Sequence, residues 1–155
     1  MSLSDGIIKE IKTYGLMYDF TPDECRTVLA GCSRRLVPRD EVLFARGQIA
    51  DEVAWIIHGR ARATLPGPHG DIDVMEFGPG SLVGFIGFIA QDQHQLKTRA
   101  TEDLTLLVLD RSDFAKANAR RDPLFARLMM AMSLGALDRV NIIQRAALTR
   151  TSRQE

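Results

Sequence analysis

The chain has 155 residues, enough for one domain with a full hydrophobic core and an appended helix. Twenty basic and twenty acidic residues give a net charge of zero, which argues against a general electrostatic attraction to nucleic acid or membranes. The sequence has no signal peptide and no apolar run of about 18 residues, so we expect a soluble, cytoplasmic protein.

Two helices are predicted before the first strand. Residues 4–16 carry an apolar stripe at helical spacing. A sharper start follows at Thr21, where Pro22 takes the first helical position and Glu24 completes a capping box. Gly31 is expected to end this second helix.

The sequence contains two cysteines, Cys25 and Cys32, seven residues apart. A disulfide at that spacing within one straight helix is geometrically implausible. Two buried free thiols are therefore expected. A redox pair or a metal site is the alternative, although the chain has no CxxC motif and no Cys/His cluster.

From Arg34 the chain changes to short segments bounded by Pro, Gly and Asp, a pattern typical of β structure. The segment from Arg60 to Leu65 alternates polar and apolar residues, as a sheet with one face in water requires. So many short strands predict a mainly β fold with flanking helices, either a double-stranded β-helix (jelly roll) or a small barrel. The predicted strands are 34–37, 42–45, 53–58, 60–65, 72–77, 97–101 and 104–109.

Three further helices are predicted. The apolar run from Leu82 to Ala90 interrupts the strands and is expected to form one short buried helix. A second short helix begins near Arg111, and a long one begins at Pro123 and reaches about Leu148.

Six residues of the long helix fall at alternating spacings of four and three, the pattern of a coiled-coil seam with a polar second half. We therefore predict a homodimer through this helix. The alternative is a helix that packs on its own domain through Leu124, Leu128 and Met132. The predicted domains are a β-roll with N-terminal helices (1–121) and a dimerisation-type helix with a tail (122–155). The seam residues are Met130, Leu134, Leu137, Asn141, Gln144 and Leu148.

The glycines in the predicted turns carry the most specific pattern. Gly47 precedes Asp51, Gly59 follows the strand that contains Trp55, and residues 77–84 read Phe-Gly-Pro-Gly-Ser-Leu-Val-Gly. This set resembles the cyclic-nucleotide-binding domain shared by the cyclic-AMP receptor protein, the fumarate-nitrate regulators, protein kinase A regulatory subunits and gated channels. The resemblance covers residues 10–148 and implies a regulatory jelly roll with a long C-terminal helix.

The resemblance also implies a phosphate cassette. In members with a working site, a Glu after the cassette glycine binds the ribose 2′-hydroxyl, and an Arg ten residues after that glycine pairs with the phosphate. Gly84 stands for the glycine here, so Phe85 and His94 replace the Glu and the Arg. Arg99 is the candidate substitute cation, and Asn141 is the candidate base contact. The cassette residues are Val83, Gly84, Phe85, Ile86, His94 and Gln95.

These replacements should weaken nucleotide binding. A charge-assisted hydrogen bond contributes roughly 1.5–3 kcal/mol and a neutral one about 1 kcal/mol. Loss of both contacts therefore costs about 3–5 kcal/mol, which corresponds to an affinity roughly 10²- to 10³-fold lower. Cyclic AMP or cyclic GMP is accordingly expected to bind weakly, and no other cofactor is assigned. The apolar replacements either plug the pocket or suit it to a less charged, more apolar effector.

No catalytic class fits the sequence. His58, His69 and His94 lack the spacing of a cupin metal site, and no nucleophile elbow or Walker loop occurs. No helix-turn-helix follows the long helix, so direct nucleic-acid binding is not expected. The chain is then either the sensor part of a longer regulator or a stand-alone domain. Arg139 and Arg145 are interpreted as solvated side chains.

The sequence thus predicts a regulatory sensor module with weakened or altered effector binding. The alternative is a ligand-independent structural or dimerisation domain.

Overall fold

The computed structural model describes residues 3–152, with side chains as far as residue 148. It contains a β-roll of two four-stranded sheets with helices at both ends of the sequence. The strands are β1 Ser33–Val37, β2 Val42–Phe44, β3 Glu52–His58, β4 Ala61–Leu65, β5 Ile72–Phe77, β6 Leu82–Val83, β7 Lys97–Ala100 and β8 Leu104–Asp110. The helices are α1 Asp5–Tyr14, α2 Pro22–Ala30, α3 Phe85–Ala90, α4 Arg111–Ala119 and α5 Pro123–Ser152.

The two sheets have the strand orders β1–β8–β3–β6 and β2–β7–β4–β5, and every pairing is antiparallel. The alternation predicted from Arg60 to Leu65 is confirmed, because Ala61, Ala63 and Leu65 are buried while the residues between them are half-exposed. The expected jelly-roll fold is therefore confirmed. Its inner faces meet in a core that includes Phe44, Ala63 and Phe77.

A second core lies between the β-roll and the helices. Trp55 on β3 is fully buried there, and the core also takes in Ile8 and Ile11 of α1 and Leu128 and Met132 of α5. This core attaches the first half of the long helix to the rest of the domain.

The predicted helix start at Thr21 is confirmed, including the reciprocal capping box between Thr21 and Glu24. Gly31 caps the other end of α2, as expected. The first helix ends at Tyr14, earlier than predicted, because Gly15 caps it.

The single helix predicted from Leu82 to Ala90 is wrong in its first part. Leu82 and Val83 form β6, which pairs with Trp55 and Ala54 of β3. Gly84 then adopts a left-handed conformation, and the helix α3 begins only at Phe85. The apolar run gave no sign of this break, since both halves are buried.

The alternative prediction, a long helix that packs on its own domain, is confirmed, whereas the homodimer stays a prediction. Leu128 and Met132 are fully buried against the domain, and Leu124 is partly buried there. All six seam residues lie on exposed positions of α5. Residues 153–155 of the predicted tail lie outside the described part of the chain.

The two cysteines are free thiols, Cys25 buried and Cys32 half-buried. Burial raises the pKa of both, that of Cys32 to about 12, so both stay protonated at neutral pH. Between residues 3 and 152, no three His, Cys, Asp or Glu side chains gather closely enough to hold a metal ion. Among the helices described, none combines the length and apolarity needed to cross a lipid bilayer.

Candidate functional site

The turn between β6 and α3 is built around Gly84. Its φ of 83° lies in the left-handed region, where side chains are strained. A Cβ at this position would lie 2.8 Å from Phe44 Cε2 and 3.1 Å from His94 Cε1. Glycine is therefore required here both for the turn and for the close approach of two rings.

Backbone hydrogen bonds fix the loop that follows α3. The amide of His94 donates to the Gln48 carbonyl at 2.8 Å, and the His94 carbonyl accepts from the Gly47 amide at 2.9 Å. The Ala50 amide donates to Asp92 in the same way, at 2.9 Å. Hydrogen bonds thus hold the loop after α3 against the turn between β2 and β3, and this places His94 beside Gly84.

His94 is buried, with 5% of its surface exposed. Its ring stacks on Phe44, with centroids 4.3 Å apart and planes 26° apart. Burial lowers its pKa below the usual 6.5, although the nearby carboxylates of Glu52 and Asp51 oppose that shift. Its Nε2 is buried and has no hydrogen-bond partner among the described residues. At neutral pH the side chain is therefore a neutral imidazole with an uncommitted nitrogen.

Arg139 of α5 supplies a cation that the sequence interpretation missed. Its guanidinium carbon lies 4.9 Å from the centroid of the Phe85 ring and 5.2 Å from that of Phe77. Burial lowers its pKa, and it forms no ion pair with any acidic side chain among residues 3–148. The expectation that Arg139 is simply solvated is therefore wrong.

These elements line a partly open cavity of about 50 Å³ between the turn at Gly84, strands β4, β5 and β7, and the long helix. Its lining residues are Ala63, Met75, Phe77, Gly84, Phe85, Ile86, Gly87, His94, Gln95, Leu96, Thr98, Arg139 and Ile143. None of the lining side chains is acidic. The cavity thus combines an apolar wall with one guanidinium, one imidazole, one amide and one hydroxyl.

The structure brings most of the predicted cassette together and excludes three predicted residues. The cavity is lined by five cassette residues, whereas Val83 is part of the core between the sheets. The five are Gly84, Phe85, Ile86, His94 and Gln95.

Arg99 lies outside the cavity. It is exposed on β7, and its Nη1 donates to the Asp40 carbonyl at 2.6 Å. Its neighbour Thr98 points inward, and successive side chains of a strand face opposite sides. The expectation that Arg99 could replace the missing cation is therefore wrong.

Asn141 also lies away from the cavity. Arg139 and Ile143, four residues apart, share the helix face that lines it, whereas Asn141 lies between them in sequence and is exposed. Asn141 is thus not among the residues that line the cavity. A sequence signal for Arg139 existed, since Leu128, Met132 and Arg139 follow one another at spacings of four and seven along one face.

The chain is similar in sequence to known proteins that have a cyclic nucleotide-binding domain. The family model for the cyclic nucleotide-binding domain matches residues 34–121, more than half of the chain. The cyclic AMP receptor protein of Thermus thermophilus is 28% identical over 120 residues, which are 76% of this chain and 54% of that protein. The chain thus spans about half the length of this curated relative.

Solved structures agree with that match. The catabolite activator protein of Thermus thermophilus has a TM-score of 0.70 at 27% identity, over 86% of this chain and 62% of that one. A cyclic nucleotide-binding domain from Methylobacillus flagellatus has a TM-score of 0.72 at 19% identity, over 96% of this chain and 82% of that one, and shows the fold alone. The chain belongs to the cyclic nucleotide-binding domain family.

Proposed function

We propose that this protein is a non-catalytic regulatory sensor module whose effector site has been altered from that of a cyclic-nucleotide receptor. The observation that carries the proposal is the cavity at the cassette turn, which His94 and Arg139 both line. The similar protein from Thermus thermophilus is named as a cyclic AMP receptor, which supports a sensing role for the same region here.

The chemistry of the cavity argues against tight binding of cyclic AMP. Phe85 cannot accept a hydrogen bond from a ribose hydroxyl, and a neutral His94 cannot pair with a phosphate as a cation does. Arg139 restores one positive charge, but from α5 and not from the cassette loop. We therefore expect cyclic-nucleotide affinity roughly 10²-fold below that of a site with both cassette residues.

The size of the cavity supports the same conclusion. Pockets for drug-sized ligands have volumes of about 300–1,000 Å³. The present cavity has about 50 Å³, so a nucleotide enters only if α5 or the cassette loop moves outward. Arg139 and Ile143 form the part of the wall that α5 contributes, and such a movement would displace both.

The long helix links the cavity to a dimer interface in this proposal. Leu134 and Leu137 of the seam are 60% and 68% exposed, and a second copy of the chain would cover them. Arg139 lies within one turn of Leu137. Effector binding at Arg139 would therefore shift the helix that carries the seam, and no direct contact with nucleic acid is needed for this response.

A ligand-independent dimerisation module is the second candidate, and one observation favours it. Phe85 is only 1% exposed and belongs to the core beneath the helices, while the Phe44–His94 pair packs against Gly84. These rings occupy space in which a nucleotide-binding site would have polar groups.

Titration calorimetry with cyclic AMP and cyclic GMP tests the proposal. The wild-type protein should show no saturable binding at micromolar ligand, and Phe85→Glu combined with His94→Arg should strengthen cyclic-AMP binding at least tenfold. No gain in the double variant would favour the dimerisation module. Saturable micromolar binding by the wild-type protein would refute the altered site.

Light scattering tests the dimer separately. Leu137→Glu should produce monomers, because a charge in the seam must be desolvated on pairing. Leu36→Glu is the matched control, since Leu36 on β1 is equally exposed at 67% and lies outside the seam. A wild-type monomer at high protein concentration would contradict the dimer.

A further inference from the structure

The charge of the cavity defines what it can hold. Arg139 contributes one positive charge, and no acidic side chain among the lining residues balances it. Its ring contacts with Phe77 and Phe85 stabilise a cation but do not neutralise it. A partly desolvated guanidinium without a counter-ion favours a ligand with a single negative charge.

A second polar group reaches the same cavity. His94 is one of the lining residues, and its buried Nε2 lacks a partner within residues 3–148. A neutral imidazole with its proton on Nε2 donates one hydrogen bond. Thr98, also buried and lining the cavity, offers a hydroxyl. With that tautomer, Arg139, His94 and Thr98 each offer a hydrogen-bond donor to a small oxyanion.

The volume and the remaining wall limit the rest of the ligand. One water-sized sphere needs about 10–15 Å³, so a cavity of about 50 Å³ accommodates roughly four or five non-hydrogen atoms. Met75, Leu96 and Ile143 contribute apolar surface to the lining of the cavity. This apolar part of the lining suits a short hydrocarbon chain.

We propose that the cavity binds a short-chain monocarboxylate, with its carboxylate on Arg139 and His94 Nε2 and its hydrocarbon end against the apolar wall. This inference rests on the proposed sensing function and names its effector class. A carboxylate accepts hydrogen bonds at two oxygens, so it can take one donor from each side chain.

A chain-length series tests the proposal. Sodium formate, acetate, propionate and butyrate are titrated into the full chain, with sodium chloride as the ionic-strength control, and thermal shift and calorimetry are recorded. Affinity should rise about fourfold per added methylene until the cavity is full, at about propionate. Propionamide, which has nearly the same shape and no charge, should bind at least tenfold more weakly. Equal binding of propionamide and propionate would overturn the proposal.

Variants locate the binding site. Arg139→Gln should weaken propionate binding at least tenfold, and Arg139→Lys should recover part of the loss because it restores the charge. Arg99→Gln is the matched control, since Arg99 lies on the outer face of β7 and should leave the affinity unchanged. Melting curves of each variant establish that it is folded. Propionate binding that Arg139→Gln leaves unchanged would overturn the assignment.

The outcomes separate this inference from the proposed function. If the wild-type protein binds cyclic AMP at micromolar concentration, the altered-site function fails. If it binds neither cyclic AMP nor any of the carboxylates, the carboxylate inference fails, and the ligand-independent module is favoured when the double variant also gains no cyclic-AMP affinity.

Discussion

Two buried regions of this molecule differ in whether their polar groups have partners. At the Trp55 corner, formed by Gly15, Trp55 and Gly80, the indole Nε1 donates to the Gly15 carbonyl at 3.0 Å and the Gly80 amide donates to Ile56 at 2.7 Å. At the cavity, His94 Nε2 has no partner among the described residues and Arg139 has no counter-ion there. The corner therefore serves folding, whereas the cavity retains the polar groups that we propose bind a ligand.

This difference predicts that polar-to-apolar changes destabilise the corner and leave the cavity equally stable or more stable. Buried groups that lose a partner cost about 1–3 kcal/mol, while removal of an unsatisfied group costs little. Stability and binding should consequently respond to different residues.

The largest expected effect is at Gly80. Its φ is 90°, and a Cβ there would lie 2.4 Å from the Glu10 backbone. Gly80→Ala should therefore lower the free energy of unfolding by about 2–6 kcal/mol, from backbone strain and overpacking together. Urea unfolding measures the loss.

Gly70→Ala is the matched control for Gly80. Gly70 also has a positive φ, 115°, but a Cβ there meets nothing within 4 Å. It should show only the strain, about 1–3 kcal/mol. Equal losses in the two variants would contradict the close packing of the corner.

Trp55→Phe should reduce stability by about 1–3 kcal/mol, since it leaves the Gly15 carbonyl without its donor and vacates part of a filled core. Trp55 is the single tryptophan of the chain, so unfolding must be followed by circular dichroism. A loss below about 0.5 kcal/mol, the lower end of a typical hydrogen-bond contribution, would show that the corner is not committed to folding in this way.

A smaller effect concerns pH. Burial lowers the pKa of His94 in the folded protein below the 6.5 of an unperturbed histidine. The unfolded state then binds the proton more readily, so the contribution of His94 to stability is full above pH 6.5 and decreases as the pH falls below it. The melting temperature should accordingly decrease as the pH is lowered below 6.5.

His94→Phe isolates this pH effect. The variant keeps a ring to stack on Phe44 and removes the titrating group, so its decrease at low pH should be shallower than that of the wild type. Identical slopes for the two proteins would contradict the burial of a neutral His94. At pH 7.5 the variant should be as stable as the wild type and should bind propionate about fivefold more weakly, because it lacks the imidazole hydrogen bond.

The smallest effect is expected at Thr64. Its buried Oγ1 also lacks a partner among the described residues, but Thr64 is not one of the residues that line the cavity. Thr64→Val should raise stability by up to about 1 kcal/mol and leave ligand binding unchanged. A loss of propionate affinity in this variant would mean that unsatisfied polar groups do not identify the binding region.

The sequence predicted the fold well where the signals were local. Thr21, Pro22 and Glu24 specify a helix start within four residues, and the strands follow from turns at Gly and Pro. The sequence prediction failed at β6, because a run in which nearly every residue is buried shows no alternation that separates a strand from a helix. Leu82 and Val83 are buried like the helix that follows Gly84, so only their pairing with β3 distinguishes them as a strand.

The candidate site divides in the same way. Gly84 and His94 could be placed together only through the resemblance to cyclic-nucleotide-binding domains, in which the cassette glycine and the phosphate-binding residue are ten positions apart. Arg139 could not be placed by motif, since its approach to Phe77 and Phe85 depends on how α5 crosses the β-roll. Arg99 and Arg139 are both arginines, so residue type does not distinguish them. Arg99 lies on the exposed face of β7 and Arg139 on the face of α5 that lines the cavity, and these positions decide their roles.

Histidine NMR of the ¹⁵N-labelled protein tests the central claim, an anion site at His94 and Arg139, most directly. His58 and His69 are exposed and serve as internal references. On addition of propionate, the imidazole signals of His94 should shift and saturate, those of His58 and His69 should stay unchanged, and Arg139→Gln should abolish the shift. Equal small shifts of all three histidines, or a His94 signal that does not respond, would contradict the account.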